Sequence, residues 1–384
     1  MLLVVTVFLG CGFAAKYREG GGNFSVPLQW MRGLRRLDQD AIWLEILPAT
    51  CDRAADAACI VNFQRQLRAH GLAGRYCLLY QNPASDDHDL AAMRCVGLTR
   101  PEVRDRLAGP NVLLNLSYSL HPPFLLTFQR RIFCDLDPGE IQYWMTKLEM
   151  GQGHHHEFWT IGLNVHGDDC RLPKSSLPWR TFYPLADTEL LRPRPRPRRP
   201  KFATIGQWYW DGSIEVDGAY PDLSKQYAFA PYLDLPARVP EAVWELAMNL
   251  AADDPERERL GALGWQLTPP HQVAHTPAQY RRYLASASAE FTAIKGVDVI
   301  WRTGWVSDRA AAFLALGRPV ITEDTGASKY LPAASGMFFV RDATEAATAA
   351  RRVLADWDLL SRQARECALE VFDSARNLRV ILGL

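Results

Sequence analysis

A run of alternating arginine and proline, "LLRPRPRPRRPKF" at 190–202, constrains this chain more than any other feature. Proline lacks an amide donor and fixes φ, so the stretch can neither pair into a sheet nor continue a helix. It reads as an extended, solvated linker. It divides 384 residues into two nearly equal parts, 1–189 and 202–384, joined by 190–201. A chain this long exceeds one ordinary core, and each part has the size of one α/β domain.

Both parts alternate apolar runs with helical periodicity. In the first, Leu2–Leu9, "AIWLEIL", "YCLLY", "NVLLNLS", "RRIFCDLDPG" and "FWTIGLNV" read as strands, the fifth ending in a turn. Ser25–Arg36, Asn62–His70 and Pro101–Ala108 read as helices between them. In the second, "KFATIGQWYW", "AVWELAMNL", "WQLT", "VDVIWRTG" and "GMFFV" read as strands. "PERERLGALG", "TPAQYRRYLASASAEFTAI", Ala343–Ala355 and Leu359–Phe372 read as helices, with a further helix near Tyr227–Leu233. Apolar strands separated by helices give parallel sheets covered on both faces. The expected fold is α/β, with two doubly wound domains facing across a cleft, and the last helix packing back on the first domain. Trp30, Trp43 and Trp265 read as core.

Charge excludes some functions. Lys+Arg and Asp+Glu are both 43, so no global field draws the chain to nucleic acid or an anionic membrane. The "MLLVVTVFLGCG" start lacks the basic region of a signal peptide and reads as a buried strand. No other apolar run reaches membrane-spanning length. The eight cysteines have no Cys-x-x-Cys spacing, which fits reduced thiols in a cytoplasmic protein. Three successive histidines, His154–His156, cannot converge on one metal from a regular element and read as an exposed loop, so no metal site is expected.

Two loops carry candidate chemistry. Gly20, Gly21 and Gly22, after the first strand and before a helix, let backbone amides approach a phosphate. The spacing is neither the dinucleotide fingerprint nor a Walker loop. In "GWVSDRAAAFLALGRPVITEDTG", 304–326, Ser307 or Asp308 caps a helix that Gly317 ends. Asp324, Thr325 and Gly326 follow a buried strand and precede another helix, a position suited to an anionic ligand. Trp208, Tyr209 and Trp210 read either as a sugar-stacking platform or as core.

Here the chain resembles a family. "SDRAAAFLALGRPVITEDTGASKYL" is similar to the donor-binding segment of GT-B glycosyltransferases. "GGGNFSVPLQWMRGLRRLDQDAIWLEIL" resembles the Gly-rich loop, first helix and second strand of their amino-terminal domain. "DLDPG", "TIGLNV", "AEF" and "GW-x-SDR…GRPV…DTG" extend the likeness to a bacterial glycosyltransferase-like subgroup over nearly the whole chain. The resemblance implies two Rossmann-like domains and transfer of a sugar from a nucleotide-diphosphate sugar, without a bound metal or other cofactor. The donor would meet Gly20, Gly21, Gly22, Arg302, Ser307, Asp308, Arg309, Asp324, Thr325 and Gly326. A small-molecule or glycan acceptor would enter near His121 and Asp137, the candidate bases.

The sequence also departs from the family. Where its retaining members carry two glutamates, this chain has Gly304 and Ala312; the histidine of its natural-product members also falls at Gly304. The diphosphate-clamping Arg and Lys are not evident in "GQWYWDGS". A non-catalytic nucleotide- or sugar-binding partner subunit, or a nucleotide-sugar epimerase of the same fold, are therefore the alternatives.

Overall fold

A computed structural model describes residues 5–81 and 88–384; Leu2–Val4 of the expected first strand lie outside the described residues. The first sheet holds β1 (Thr6–Cys11), β2 (Asp40–Pro48), β3 (Tyr76–Gln81), β4 (Arg94–Gly97), β5 (Asn111–Leu116), β6 (Arg130–Asp135), β7 (Glu157–Thr160) and β8 (Trp179–Thr181). Their order is β4-β3-β2-β1-β5-β6-β7-β8, parallel except for β4 against β3. Helices α1 (Gly21–Arg36), α2 (Arg53–Ala69), α3 (Arg100–Ala108) and α4 (Pro138–Met145) connect the strands.

The second sheet holds β9 (Lys201–Gly206), β10 (Val243–Met248), β11 (Gln266–Leu267), β12 (Ala289–Thr292), β13 (Val320–Glu323) and β14 (Met337–Val340), in the order β11-β10-β9-β12-β13-β14 and parallel throughout. Its helices are α5 (Lys225–Phe229), α6 (Leu235–Arg238), α7 (Pro255–Ala262), α8 (Pro270–Ala274), α9 (Pro277–Ser286), α10 (Gly296–Trp301), α11 (Asp308–Ala315), α12 (Ala343–Ala355) and α13 (Trp357–Cys367). A last helix, α14 (Ser374–Leu382), packs on α1. Gly33 permits that contact, since a Cβ there would stand 2.6 Å from Leu378.

The central strands are buried on both faces, which is why "TVFLGC" and "NVLLNL" read as continuous apolar runs. In each sheet the strand order reverses beside the first strand, at β1/β5 and at β9/β12. Such switch points leave a crevice at the carboxyl ends of the strands. Trp30, Trp43 and Trp265 are core, as the sequence indicates.

Several elements differ from the sequence expectation. "TPAQYRRYLASASAEFTAI" is not one helix: α9 stops at Ser286, and "AEFT" is the central strand β12. "VDVIW" is not a strand but α10, whose Asp298 is buried and accepts from Thr303 Oγ1 at 2.7 Å. Glu290 makes "AEFT" a poor apolar run, and its burial works only because Arg309 pairs with it. The turn after "RRIFCD" opens directly into α4, with Asp137 at its N-cap position. The short edge strands β4 and β8 carry little apolar signal. His155 is buried rather than in an exposed loop, its Nδ1 on Gly151 O at 2.7 Å and its Nε2 on Asn115 Nδ2 at 3.1 Å. Trp208 is core and donates to Glu256, while Tyr209 is exposed.

Candidate functional site

The loop leaving β1 is organised by a buried carboxylate. Glu45 on β2 accepts from the amides of Ala14 (2.8 Å) and Ala15 (2.7 Å) on one oxygen, and from Trp43 Nε1 (2.8 Å) on the other. Burial pushes its pKa up to about 7 against the pull of those donors. The lone charge within "AIWLEIL" was the only sequence signal for this residue.

That loop delivers the chain to Gly20, where α1 starts without a side-chain cap. The first-turn amides at Gly21 and Gly22 are thus left for other partners, and the helix end carries partial positive charge. The glycines also serve packing. A Cβ on Gly21 would stand 2.4 Å from the carbonyls of Ala274 and Thr276, and one on Gly22 would meet the Tyr280 ring at 3.4 Å. The start of α1 therefore touches the α8–α9 turn of the second domain.

Facing it is the start of α11. Ser307 caps that helix, accepting from Ala310 N at 3.0 Å. Burial pushes the neighbouring Asp308 up to about 7. Arg309 turns inward to Glu290, and also donates to Ile205 O (2.7 Å) and Thr292 Oγ1 (3.0 Å). Together Gly20–Gly22, Asn23, Phe13, Gly206, Gln207, Asn249, Tyr280, Trp305 and Ser307–Arg309 line a cleft of about 460 Å³ between the switch points of the two sheets. The cleft continues past Glu19, Asn23 and Asn249 into an outer pocket of about 830 Å³.

Lys225 stands behind this cleft and was missed by sequence reasoning. It donates to Ala293 O at 2.6 Å, and a Cβ on Gly206 would meet its Cε at 3.4 Å. Burial lowers its pKa to about 7, Arg309 adding to the effect. It lies 19 residues after Gly206, beyond "GQWYWDGS", so local spacing gave no sign of it.

The other expected donor residues gather elsewhere. Asp324 accepts from Gly326 N (2.9 Å) and Ser328 Oγ (3.1 Å) and lies 3.6 Å from Arg302. Arg302 also donates to Asp169 at 2.7 Å, while Asn164 donates to Arg302 O at 2.7 Å. Thr325 Oγ1 donates to Trp305 O at 2.8 Å. Arg302 and Gly326 thus meet Asn164 and Asp169 of the first domain, Asp324 and Thr325 brace them from within the second, and none of the four lines the cleft with Ser307–Arg309. Gly304, with φ +80°, belongs to the same seam: a Cβ there would stand 2.2 Å from Asn164 N. That contact leaves no room for a glutamate at 304.

Neither candidate base lines the cleft. His121 stacks between His88, at 4.5 Å, and Tyr118, at 4.3 Å, with Nε2 2.9 Å from Tyr118 O. It follows Ser117 and Tyr118, both at positive φ, a strained turn at the end of β5. Asp137 pairs across the domains with Lys295, which also donates to Glu140 at 3.1 Å. Among the described residues no group of three or more His, Cys, Asp or Glu is placed to hold a metal ion, and no helix is long and apolar enough to cross a membrane.

No protein-family model and no curated protein matches the chain. Solved structures do. Anabaena HepE, in complex with UDP and glucose, aligns over 99% of this chain and 98% of its own, at 11% identity and a TM-score of 0.57. Sucrose-phosphate synthase from Thermosynechococcus elongatus aligns over 99% and 98%, at 10% identity and a TM-score of 0.53. AviGT4, a glycosyltransferase involved in avilamycin A biosynthesis, aligns over 99% and 96%, at 14% identity and a TM-score of 0.51. With its two switch-point sheets facing across a cleft, the chain has the GT-B glycosyltransferase-like fold.

Proposed function

We propose that the protein transfers a sugar from a nucleotide-diphosphate sugar to a small-molecule or glycan acceptor, without a metal ion. The observation that carries this reading is the cleft between the switch points, entered by the uncapped start of α1 and by Ser307–Arg309 of α11. An uncapped helix start is suited to a diphosphate, and Asp308, as a neutral carboxyl that both donates and accepts, to ribose hydroxyls. HepE, of the same fold, was solved with UDP and with UDP-glucose. Arg309 acts from beneath, since its guanidinium is already held by Glu290. Lys225, behind Gly206, supplies the positive charge that "GQWYWDGS" lacks. On this reading Arg302 and Gly326 hold the domains together beside the donor, with Asp324 and Thr325 bracing them from the second domain. His121 and Asp137 stand at strand ends of the first domain as acceptor-side groups.

A nucleotide-binding subunit without turnover is the second reading, favoured by the engagement of Asp137 with Lys295 and by the packing that excludes a carboxylate at Gly304. Calorimetric titration with UDP, other nucleoside diphosphates and their sugars tests the first step. Donor hydrolysis or transfer with candidate acceptors tests the second. Binding with turnover supports the transferase, binding without any turnover the subunit, and no binding by any nucleotide rejects both.

A further inference from the structure

The Arg-Pro segment is not a free linker. Leu191 O accepts from Arg365 Nη1 at 2.8 Å, and Pro195 O accepts from Arg318 Nη2 at 2.9 Å. Arg196 Nη2 donates to Leu354 O at 2.8 Å, and its guanidinium lies 5.8 Å from the centroid of the Trp357 ring. Pro193 lies beside Gly317, where a Cβ would stand 3.5 Å from the proline Cβ. Arg318 is fully buried and also holds Ala285 O at 2.8 Å. Residues 191–196 are thus splinted along the second domain, against the end of α12 and the start of α13.

The splint leaves the arginine side chains in solvent. Arg192, Arg194, Arg196, Arg198 and Arg199 are all exposed. Among the described residues none of the five has a carboxylate oxygen within 4.0 Å. The carboxylates just before them in the chain, Asp187 and Glu189, are held by Arg32 and Arg36. These cations therefore stand unneutralised along one short ridge. The zero net charge of the chain does not mask them, since salt limits the reach of each charge to about 10 Å. Fixing the backbone beforehand also removes part of the ordering cost of binding.

The surroundings favour one kind of partner. A proline-reading aromatic groove needs free proline faces and backbone. Here Leu191 O and Pro195 O are taken, and Pro197 and Pro200 are half-buried. A single-stranded nucleic acid is held by stacking on exposed rings. Trp357, the ring under this segment, is 5% exposed. An anionic lipid surface requires neither feature: clusters of about four to eight basic side chains bind it by charge, each adding about fivefold.

We propose that the arginines of 192–199 dock the protein on an anionic lipid surface. The surface holds the second domain, because Arg318 and Arg365 fix the segment to it.

The full chain is compared with R194Q/R198Q/R199Q, whose three side chains take no part in the splint, and with R194K/R198K/R199K. Co-sedimentation is read with vesicles of mixed phosphatidylglycerol and phosphatidylcholine against pure phosphatidylcholine, at low and at high salt. The expected result is binding to the anionic vesicles alone, weakening as salt rises. The glutamine variant binds about a hundredfold more weakly, while the lysine variant, which keeps the charge, binds as the natural chain does. Melting temperature and UDP affinity are the same in all three chains, which separates docking from folding and from the proposed donor cleft. No vesicle binding, equal binding to neutral vesicles, or binding that survives the glutamine variant overturns the proposal. So does loss of binding in the lysine variant, or tighter binding of a single-stranded oligonucleotide than of the anionic vesicles at the same salt.

Discussion

Arg309 and Glu290 form an ion pair under the floor of the cleft, with side chains 14% and 0% exposed. The pair ties the first turn of α11 to the middle of β12, and Arg309 reaches across to β9 through Ile205 O. It is thus the rivet of the second domain's switch point, and the residue next to Asp308 is held as structure.

Removing one partner of a buried pair leaves the other charged and unsolvated. Arg309→Ala should therefore destabilise the second domain by about 3–5 kcal/mol, read from denaturant midpoints. Adding Glu290→Leu to the same chain should recover most of that loss. A stable Arg309→Ala protein would refute the pairing. It follows that lost nucleotide binding in Arg309→Ala alone says nothing about direct contact; the double variant is the informative one.

The sequence displayed the apolar strands, the linker and the glycine-bearing loops, because continuous burial and turn chemistry leave local marks. The interior charged groups left almost none. Glu45, Glu290, Lys225 and Lys295 look locally like ordinary charges, and only the fold brings each to its hydrogen-bond or ion-pair partners. The exchange of "AEFT" and "VDVIW" has the same cause. A four-residue strand holding a glutamate and a short helix rich in β-branched residues both defy local preference, and tertiary pairing overrides it. "SDR" and "DTG" share one segment, yet Gly317 and β13 carry them to different places, the first to the cleft wall and the second to the seam.

If the cleft binds the donor as proposed, Asp308 and Lys225 should make that binding pH-dependent. Both have pKa values near 7, the first raised by burial and the second lowered by it. A bound diphosphate favours the protonated form of each. Binding therefore takes up protons, and affinity should fall as pH rises through 7, by up to about tenfold per unit for each full proton taken up. UDP-glucose is the suitable probe, because its phosphodiesters do not titrate there. Asp308→Asn and Lys225→Met should each flatten the profile, and together abolish it. A slope that survives the double variant would remove these groups from the donor site.

Glu45 links loop order to pH in stability rather than in binding. Its folded pKa of about 7 exceeds the 4.5 of an unperturbed glutamate, so the folded chain keeps a proton that the unfolded chain has lost between those values. The stabilisation is complete below the lower value and lost as pH rises through the upper one. Stability of the natural chain relative to Glu45→Gln should fall by up to about 3 kcal/mol across that window. In Glu45→Gln the amide NH₂ would face Trp43 Nε1, a second donor, so the loop at Ala14 and Ala15 should also exchange its amide hydrogens faster. Equal exchange and parallel pH profiles would refute the role.

Lys295 bridges the two domains through Asp137 and Glu140. It stands among Asp137 and Glu140 of the first domain and Asp298 of the second, and Asp137 Oδ1 and Asp298 Oδ2 are buried with no hydrogen-bond partner. The three carboxylates raise the pKa of Lys295 despite its burial, and burial pushes Asp298 up to about 7. Lys295→Met would leave these acids facing one another across the seam. The expected result is a loss of about 1–3 kcal/mol, below the fully buried limit because the Lys295 and Asp137 side chains are 29% and 26% exposed. Small-angle scattering should show a larger radius of gyration as the domains part. Asp137→Asn in the same chain should restore part of the stability by removing one buried charge, while the radius stays large because the cation that bridged the domains is still missing. Unchanged scattering and stability in Lys295→Met would show that the seam of Asn164, Asp169 and Arg302 closes the domains without it.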